Sequence, residues 1–318
     1  MKIAFLLYPT SKVKVDEDSS FWMMRELERR GHRVFYFESR DFFWSGSSAR
    51  AYLTPARLDE KKGYLPSPLP DRSTDLVSMD CIFIRKEPPF NHEYLHCLQL
   101  LDLIKDRVFI LNDPQAVALA NEKLFCLRFK AFVPESLVTQ SIAEAVRFIR
   151  QLKSNAVIKP LREKGGLGVV VTSARDRNLH SLLETATSLG REKVLVQKFI
   201  SADRYGDKRL VILNGKILGA FLRRPPHHDF RANLSVGGSM HRTKVTLWDK
   251  KLAEAMAPEF LFRGLYFVGV DVIGRFLTEI NVTSPAGIPE VNGLYGVHLE
   301  REVADFIESS VKRKIGRI

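Results

Sequence analysis

A chain of 318 residues, 45% of them hydrophobic, buries a sizeable core in two or three domains and is not a disordered or fibrous polymer. No apolar run approaches the ~18 residues that span a bilayer, and Met1 to Pro9 is too short for a signal peptide, so the sequence points to the cytoplasm. Cys81, Cys97 and Cys126 lie too far apart for a disulfide framework or a zinc spacing, and the net charge of +12, spread along the chain, is compatible with nucleic acid, an anionic surface or small polyanions.

In the first third, runs rich in Ile, Val and Phe alternate with helical patterns: Ile3 to Tyr8, Val34 to Phe37, Cys81 to Ile84 and Val108 to Leu111. This alternation predicts a parallel, doubly wound sheet. Asp18-Ser19-Ser20 offers capping oxygens, Met23, Met24 and Leu27 share a face, and Gly31 permits a left-handed stop, which makes one capped helix. From Phe42 to Asp75 no periodicity is clear, and Ser45-Gly46-Ser47-Ser48 and Pro66-Ser67-Pro68-Leu69-Pro70 read as a long irregular connection. Arg85-Lys86-Glu87-Pro88-Pro89-Phe90 follows the third strand, where open α/β sheets place ligand loops, although two prolines also build a plain surface turn.

A second unit begins near Asp113-Pro114. It holds a helix around Asn121 to Phe129 that carries Lys123, a helix from Ile142 to Leu152, runs at Ala156 to Lys159 and Val169 to Thr172, a helix from Leu179 to Leu189, and Val194-Leu195-Val196-Gln197. The stretch Lys159-Pro160-Leu161-Arg162-Glu163-Lys164-Gly165-Gly166-Leu167-Gly168 sets a lysine at a strand end before a glycine-rich loop, whose N–H groups can approach phosphate oxygens closely. It is neither a Walker A sequence nor a dinucleotide fingerprint, and an ordinary hairpin has the same composition.

The third unit is mostly antiparallel. Arg209 to Leu213 and Lys216 to Leu222 flank Asn214-Gly215, a pair that accepts positive φ in a tight hairpin. Lys208, Arg209, Arg223, Arg224 and Arg231 form a cationic series around it, suited to carboxylate or phosphate. A helix near Lys250 to Phe262, strands at Tyr266 to Ile273 and Phe276 to Val282, and a helix from about Leu299 follow; Lys312-Arg313-Lys314 sits at the negative end of that last helix dipole. The adjacent His227 and His228 point apart in an extended chain and receive no metal.

The strongest local signal is Asp271 in one strand and Glu279 with Asn281 in the next. Desolvating a carboxylate costs several kcal/mol unless a cation or hydrogen bonds compensate. Glu279 and Asn281 share a face by the period of two, and as hard oxygen donors they suit Mg²⁺ with phosphate completing the octahedron. Asp271 joins them only across an odd-length loop or a bulge. Strand-end polar residues facing water are the alternative.

In order along the chain, Asp18-Ser19-Ser20-Phe21, Arg85-Lys86-Glu87-Pro88-Pro89-Phe90, Asn121-Glu122-Lys123-Leu124-Phe125, Pro134-Glu135-Ser136-Leu137-Val138-Thr139, Lys159-Pro160-Leu161, Gly206-Asp207-Lys208-Arg209 and Thr278-Glu279-Ile280-Asn281-Val282-Thr283-Ser284-Pro285 resemble prokaryotic glutathione synthetases. The resemblance covers almost the whole chain. It implies an α/β ATP-grasp fold: a Rossmann-like, doubly wound domain over residues 1–120, a central ATP-binding subdomain over 121–200, and a C-terminal subdomain over 201–318 with the metal site and a mobile loop, the last two enclosing ATP. Lys123 and Lys159 would contact ATP phosphates, Gly165 and Gly166 would cover the nucleotide, Lys208 would add to the nucleotide set, and Gln197 with the backbones of Lys198 and Ile200 would lie near adenine. Asp271, Glu279 and Asn281 would bind two Mg²⁺ ions, or Mn²⁺.

The family reaction phosphorylates the glycine-facing carboxylate of γ-glutamylcysteine, and the amine of glycine then attacks the acyl phosphate. On that likeness Arg209 stabilises the acyl phosphate, Arg224 and Arg231 hold a substrate carboxylate, and Asn233 lines the mobile loop from about Pro225 to Gly238. Ser19, Ser20 and Arg85 belong to the dipeptide side. The partners implied are these small molecules in a homotetramer, with no nucleic acid and no membrane. Three stretches depart from the family pattern: Arg162-Glu163 stands where Asp-Gly usually precedes the Gly-Gly pair, Pro225-Pro226-His227-His228-Asp229-Phe230 replaces a glycine-rich stretch, and Ala286 to Gly293 diverges. These changes bear on the substrate, so a ligase for another amino acid, peptide or protein tail is the competing enzyme reading; nucleic-acid binding rests on charge alone.

Overall fold

The computed structural model describes residues 1–9, 17–59, 63–64, 70–163 and 165–316. Lys164 and the Pro66-Ser67-Pro68-Leu69 run lie outside the described residues.

Strand β1 (Lys2–Leu7) buries Ile3 through Leu7 without alternation, as a strand covered on both faces must. Helix α1 (Ser19–Arg29) starts where the Asp18 carboxylate accepts the Ser20 and Phe21 N–H groups, and it packs Phe21, Met23, Met24 and Leu27 inward. Strand β2 (Arg33–Glu38) follows. The expected irregular connection is in part regular: β3 (Phe42–Ser45) and β4 (Ser48–Ala51) form a hairpin, followed by β5 (Thr54–Pro55), β6 (Leu58–Asp59), β7 (Gly63–Tyr64) and β8 (Thr74–Asp75). Burial of Phe42, Ala49 and Ala51 overrides the weak local pattern there. Next come β9 (Cys81–Arg85), α2 (His92–Asp102), β10 (Phe109–Leu111) and α3 (Pro114–Leu119). The first sheet has the order β10-β9-β1-β2-β5, parallel except at the β5 edge.

The helix expected over Asn121 to Phe129 is instead a set of turns ending in one 3-10 segment, Phe125–Arg128. The Glu122 carbonyl, which a helix would use internally, accepts the Ile280 N–H at 2.9 Å, and the Asn121 carboxamide oxygen accepts the Lys123 and Leu124 N–H groups.

The middle of the chain forms β11 (Ser136–Thr139), α4 (Ile142–Leu152), β12 (Ala156–Pro160), β13 (Val170–Thr172), α5 (Leu179–Ala186) and β14 (Val194–Lys198), in an antiparallel sheet ordered β11-β14-β12-β13. Ala145, Val146, Ile149 and Leu152 line one face of α4 and join Ile158, Leu179, Leu183, Val194 and Val196 in a core drawn from this segment alone.

Short α6 (Ala202–Tyr205) leads to β15 (Asp207–Leu213) and β16 (Lys216–Arg224), then β17 (Ser239–His241), α7 (Leu247–Arg263), β18 (Phe267–Ile273), β19 (Phe276–Asn281), α8 (Ile288–Tyr295) and α9 (Leu299–Ile315). The third sheet runs β17-β16-β15-β18-β19, antiparallel throughout. Asn214 and Gly215 turn the hairpin at φ 51° and 76°, as the pair predicts. The first and third sheets share cores: Leu6, Ile82 and Phe125 pack in one cluster with Leu210, Phe260 and Val270, and Ile3, Phe5 and Phe83 in another with Val211, Phe267 and Val303. The buried Asn112 carboxamide reinforces this, donating to the Phe267 and Val282 carbonyls and accepting the Phe267 N–H.

Candidate active site

Asp271 and Glu279 are directly opposite each other in β18 and β19, because a bulge shifts the register between Asp271 and Val272. This is the condition the sequence sets for both acids to share a face. Both line a cleft of about 700 Å³ between the central and third sheets, with Lys159, Gly166, Gln197, Lys198, Ile200, Arg231 and Asn233.

On β15 the period of two turns Asp207 and Arg209 to the same side. Arg209 is opposite Asp271, and Asp207 is opposite Arg223 on β16. The guanidinium of Arg209 grips Asp271 with Nε on Oδ1 at 2.5 Å and Nη2 on Oδ2 at 2.9 Å. Arg223 Nη2 lies 2.9 Å from Asp271 Oδ1 and donates to Asp207 Oδ2 at 2.7 Å, and Asn281 Nδ2 donates to Asp271 Oδ2 at 3.3 Å. These contacts occupy about four lone-pair directions of the Asp271 carboxylate, its ordinary capacity. Burial acts to raise the Asp271 pKa, but Arg209 and Arg223 outweigh it and hold the carboxyl ionised. Burial raises Asp207, opposed by Arg223. Asp207 Oδ1 and Arg223 Nε are buried without hydrogen-bond partners.

Several expected site residues lie elsewhere. Lys208 alternates to the opposite face of β15, where its ammonium binds Asp249 at 2.8 Å and the Lys244 carbonyl at 3.1 Å. Arg224 is exposed on the other face of β16 and reaches the Asp203 carbonyl, while its neighbour Arg223 takes the site position. The cause is a second register shift, between Val211 and Ile212, which pairs Val211 with Gly219. Counting back from the hairpin without it puts Arg224 on the Arg209 face; one extra residue exchanges it for Arg223. Gly219 carried the available signal, since an interior strand glycine marks a bulge or a close approach, and a Cβ there would meet Val291 and Leu299 at 2.9 Å. Ser19, Ser20 and Arg85 are buried. Arg85 joins the Ser20 hydroxyl to the Pro285 carbonyl, and Ser19 accepts the Ile288 N–H, so together they hold the segment entering α8.

Lys123 leaves its turn to place Nζ on Glu122 at 2.5 Å and on the Glu163 carbonyl at 2.6 Å, beside the glycine-rich loop. Burial pulls its pKa down, but the Glu279 and Glu122 carboxylates raise it, so it is held as a cation. The two loops meet over the cleft. Arg231, paired with Asp229, donates to the Gly166 carbonyl at 3.1 Å, and a Cβ on Gly166 would sit 2.9 Å from Asn233 Oδ1, with φ at +79°. Only glycine fits both constraints. A Cβ on Gly165 would stand 3.5 Å from Ser235 Oγ, and φ there is +62°.

A larger open cavity of about 1470 Å³ lies on the far side of the Arg209–Asp271–Arg223 wall, lined by Tyr8, Glu17, Lys86, Glu87, Phe221, Ser235 and Glu290 among others. Among the described residues no group of three or more His, Cys, Asp and Glu side chains can hold a metal. The fit to Mg²⁺ therefore depends on the Asn281 carboxamide oxygen with Glu279, and on Asp271 once an arginine bond is released.

Residues 122–296 match the profile of the prokaryotic glutathione synthetase ATP-grasp domain, and residues 1–118 match that of the prokaryotic glutathione synthetase N-terminal domain. A glutathione synthetase of Gloeobacter violaceus is 37% identical, with 100% of this chain and 99% of the relative covered, and one of Mesorhizobium japonicum is 34% identical over 99% of both. Among solved structures, a D-alanyl-alanine synthetase A from Vibrio cholerae superposes with a TM-score of 0.66 at 15% identity over 98% of each chain. A D-cycloserine synthetase superposes with 0.65 at 14% identity over 96% and 99%. These two structures share the fold. Matched over nearly its whole length in sequence and built on an ATP-grasp scaffold, the chain belongs to the prokaryotic glutathione synthetase family.

Proposed function

We propose that this ATP-dependent carboxylate–amine ligase joins γ-glutamylcysteine to glycine, giving glutathione, ADP and phosphate. The observation that carries the reading is the register that sets Asp271 opposite Glu279, beside Lys159 and the glycine-rich loop, with Arg209 forming the wall to a charged second cavity. A carboxylate is a poor acyl donor until one oxygen leaves as phosphate. Transfer of the γ-phosphoryl group to the cysteinyl carboxylate makes that acyl phosphate, and the glycine nitrogen attacks the carbonyl carbon and expels phosphate.

Lys123 and Lys159 are the cations available to the phosphates, and Gln197, Lys198 and Ile200 form the edge for adenine. Two Mg²⁺ ions, or Mn²⁺, would be held by Glu279 and Asn281, with Asp271 exchanging an arginine contact; bound there, they neutralise charge on the transferring phosphoryl group. Arg209 reaches the Ala286 carbonyl and lines the donor cavity, which suits it to the developing oxyanion. Arg231 and Asn233, in contact with Gly166, exclude water from the acyl phosphate.

The same proposal divides the chain at residues 1–120, 121–200 and 201–318 and places a homotetramer in the cytoplasm; no helix among the described residues is long and apolar enough to cross a membrane. Sedimentation at working concentration measures the assembly. The deciding experiment follows phosphate release and product mass with each substrate alone and together: release that requires both γ-glutamylcysteine and glycine is expected. Ligation of a different acid or amine from a panel, with neither of these accepted, sinks the assignment.

A further inference from the structure

Glu290 sits in the first turn of α8, inside the stretch that diverges from the family pattern, and lines the second cavity. Its Oε2 atom is buried and has no hydrogen-bond partner. Arg223, on the same cavity wall, keeps its Nε–H buried and unpaired while its Nη2 is committed to Asp207 and Asp271. Leaving a charged group buried and unmatched costs roughly 1–3 kcal/mol or more, so each is either strain or an unfilled half of a binding interaction. An acid kept only for stability would pair with a nearby guanidinium. Glu290 instead feels Arg209 and Arg223 at a distance, and burial raises its pKa above the ordinary carboxylate range.

An unmatched anionic acceptor and an unmatched cationic donor, each just beneath the surface on a residue that lines the same cavity, complement a zwitterion, because an ammonium offers only donors and a carboxylate only acceptors. Resting on the function proposed above, we infer that Glu290 selects the donor by its free α-ammonium group, with Arg223 Nε taking the adjacent α-carboxylate. The chemical class recognised is thus an unblocked α-amino acid head, carried at the end of the donor away from the carboxylate that is phosphorylated. The role is one of specificity, and Glu290 takes no part in bond making.

The test compares γ-glutamylcysteine with glutarylcysteine, which differs only in lacking the α-ammonium, using the full chain with saturating ATP and glycine. The wild type should prefer the ammonium-bearing donor by roughly 10- to 100-fold in kcat/KM, the range of a charged hydrogen bond. In Glu290→Gln that ratio should fall close to one through a higher KM for γ-glutamylcysteine, with Glu290→Asp recovering part of the preference. A ratio that survives in Glu290→Gln, a parallel fall for both donors, or a rise in the KM for glycine instead overturns the inference. If the wild type rejects γ-glutamylcysteine but ligates another amino-acid-headed donor, the proposed function fails. The same comparison between that donor and its deaminated form then judges Glu290 by itself.

Discussion

The two cavities that meet at the Arg209–Asp271–Arg223 wall are both rich in charge but differ in their apolar lining. The cleft between the central and third sheets sets the apolar side chains of Val157, Phe199, Ile200, Phe230 and Ile273, which suit a flat base, beside Lys159, Lys198, Asp207, Arg231, Asp271 and Glu279. The second cavity presents Glu17, Lys86, Glu87, Arg209, Arg223 and Glu290, with Tyr8, Phe221 and three prolines as its less polar part. Their supports differ too. One wall of the nucleotide cleft belongs to the central sheet with its separate core, whereas the second cavity is framed by the first and third sheets, which share theirs. The central sheet can therefore shift without breaking the cores that the first and third sheets share.

The wall and the acid opposite it should give the largest effects. Glu279→Gln removes the carboxylate opposite Asp271 and, on the proposed metal role, should lower turnover by roughly 10³-fold or more with the circular dichroism spectrum unchanged; a variant with full activity would refute that role. Arg223→Ala strands the buried Asp207, while Asp271 keeps Arg209 and Asn281, so urea denaturation should show a loss of about 3–5 kcal/mol. If stability instead holds, the wall is dispensable and the two cavities are independent. Lys159→Ala touches only the nucleotide side. Its KM for ATP should rise roughly tenfold, the size of one charged hydrogen bond, with the KM for the donor nearly constant, and equal shifts in both would erase the contrast.

Smaller effects mark residues outside both cavities. Lys208→Ala should leave the KM for ATP within about twofold and cost ~1–3 kcal/mol of stability, since the buried Asp249 loses its cation and keeps only its Thr246 bonds. A large KM shift would return Lys208 to the nucleotide site. Smallest is a pH effect: hydrogen bonds from Arg29 and Arg30 hold Glu26 down to about 2, against an ordinary 4.5. With the folded pKa depressed, its stabilisation is complete above about pH 5 and is lost as pH falls towards about 2. The stability gap between wild type and Glu26→Gln should shrink over that window, and a constant gap would show that charge is not its source.

The strands and most helices of this fold could be read from periodicity because burial imposes it: β18 and α4 announce themselves, and the Asn214-Gly215 turn is fixed by its φ angles. The Asp271–Glu279 pair was readable up to a condition, the bulge before Val272. What escaped were choices made by tertiary contacts. Arg223 rather than Arg224 depends on one extra residue in β16, and the turns at Lys123 depend on a hydrogen bond from Ile280, more than 150 positions away. Ser19, Ser20 and Arg85 are assigned to the dipeptide side by the family resemblance alone, and local sequence cannot tell a side chain that binds substrate from one that ties down Pro285 and Ile288.

The common interior of the first and third sheets also governs how the polypeptide can be divided. The gap between the two matched profiles, after residue 118, is an inviting place to cut, yet the fragments on either side would each carry a greasy face made for the other, and Asn112 would lose both strands it bridges. Produced separately, such pieces should aggregate, and activity should return only when they are made together.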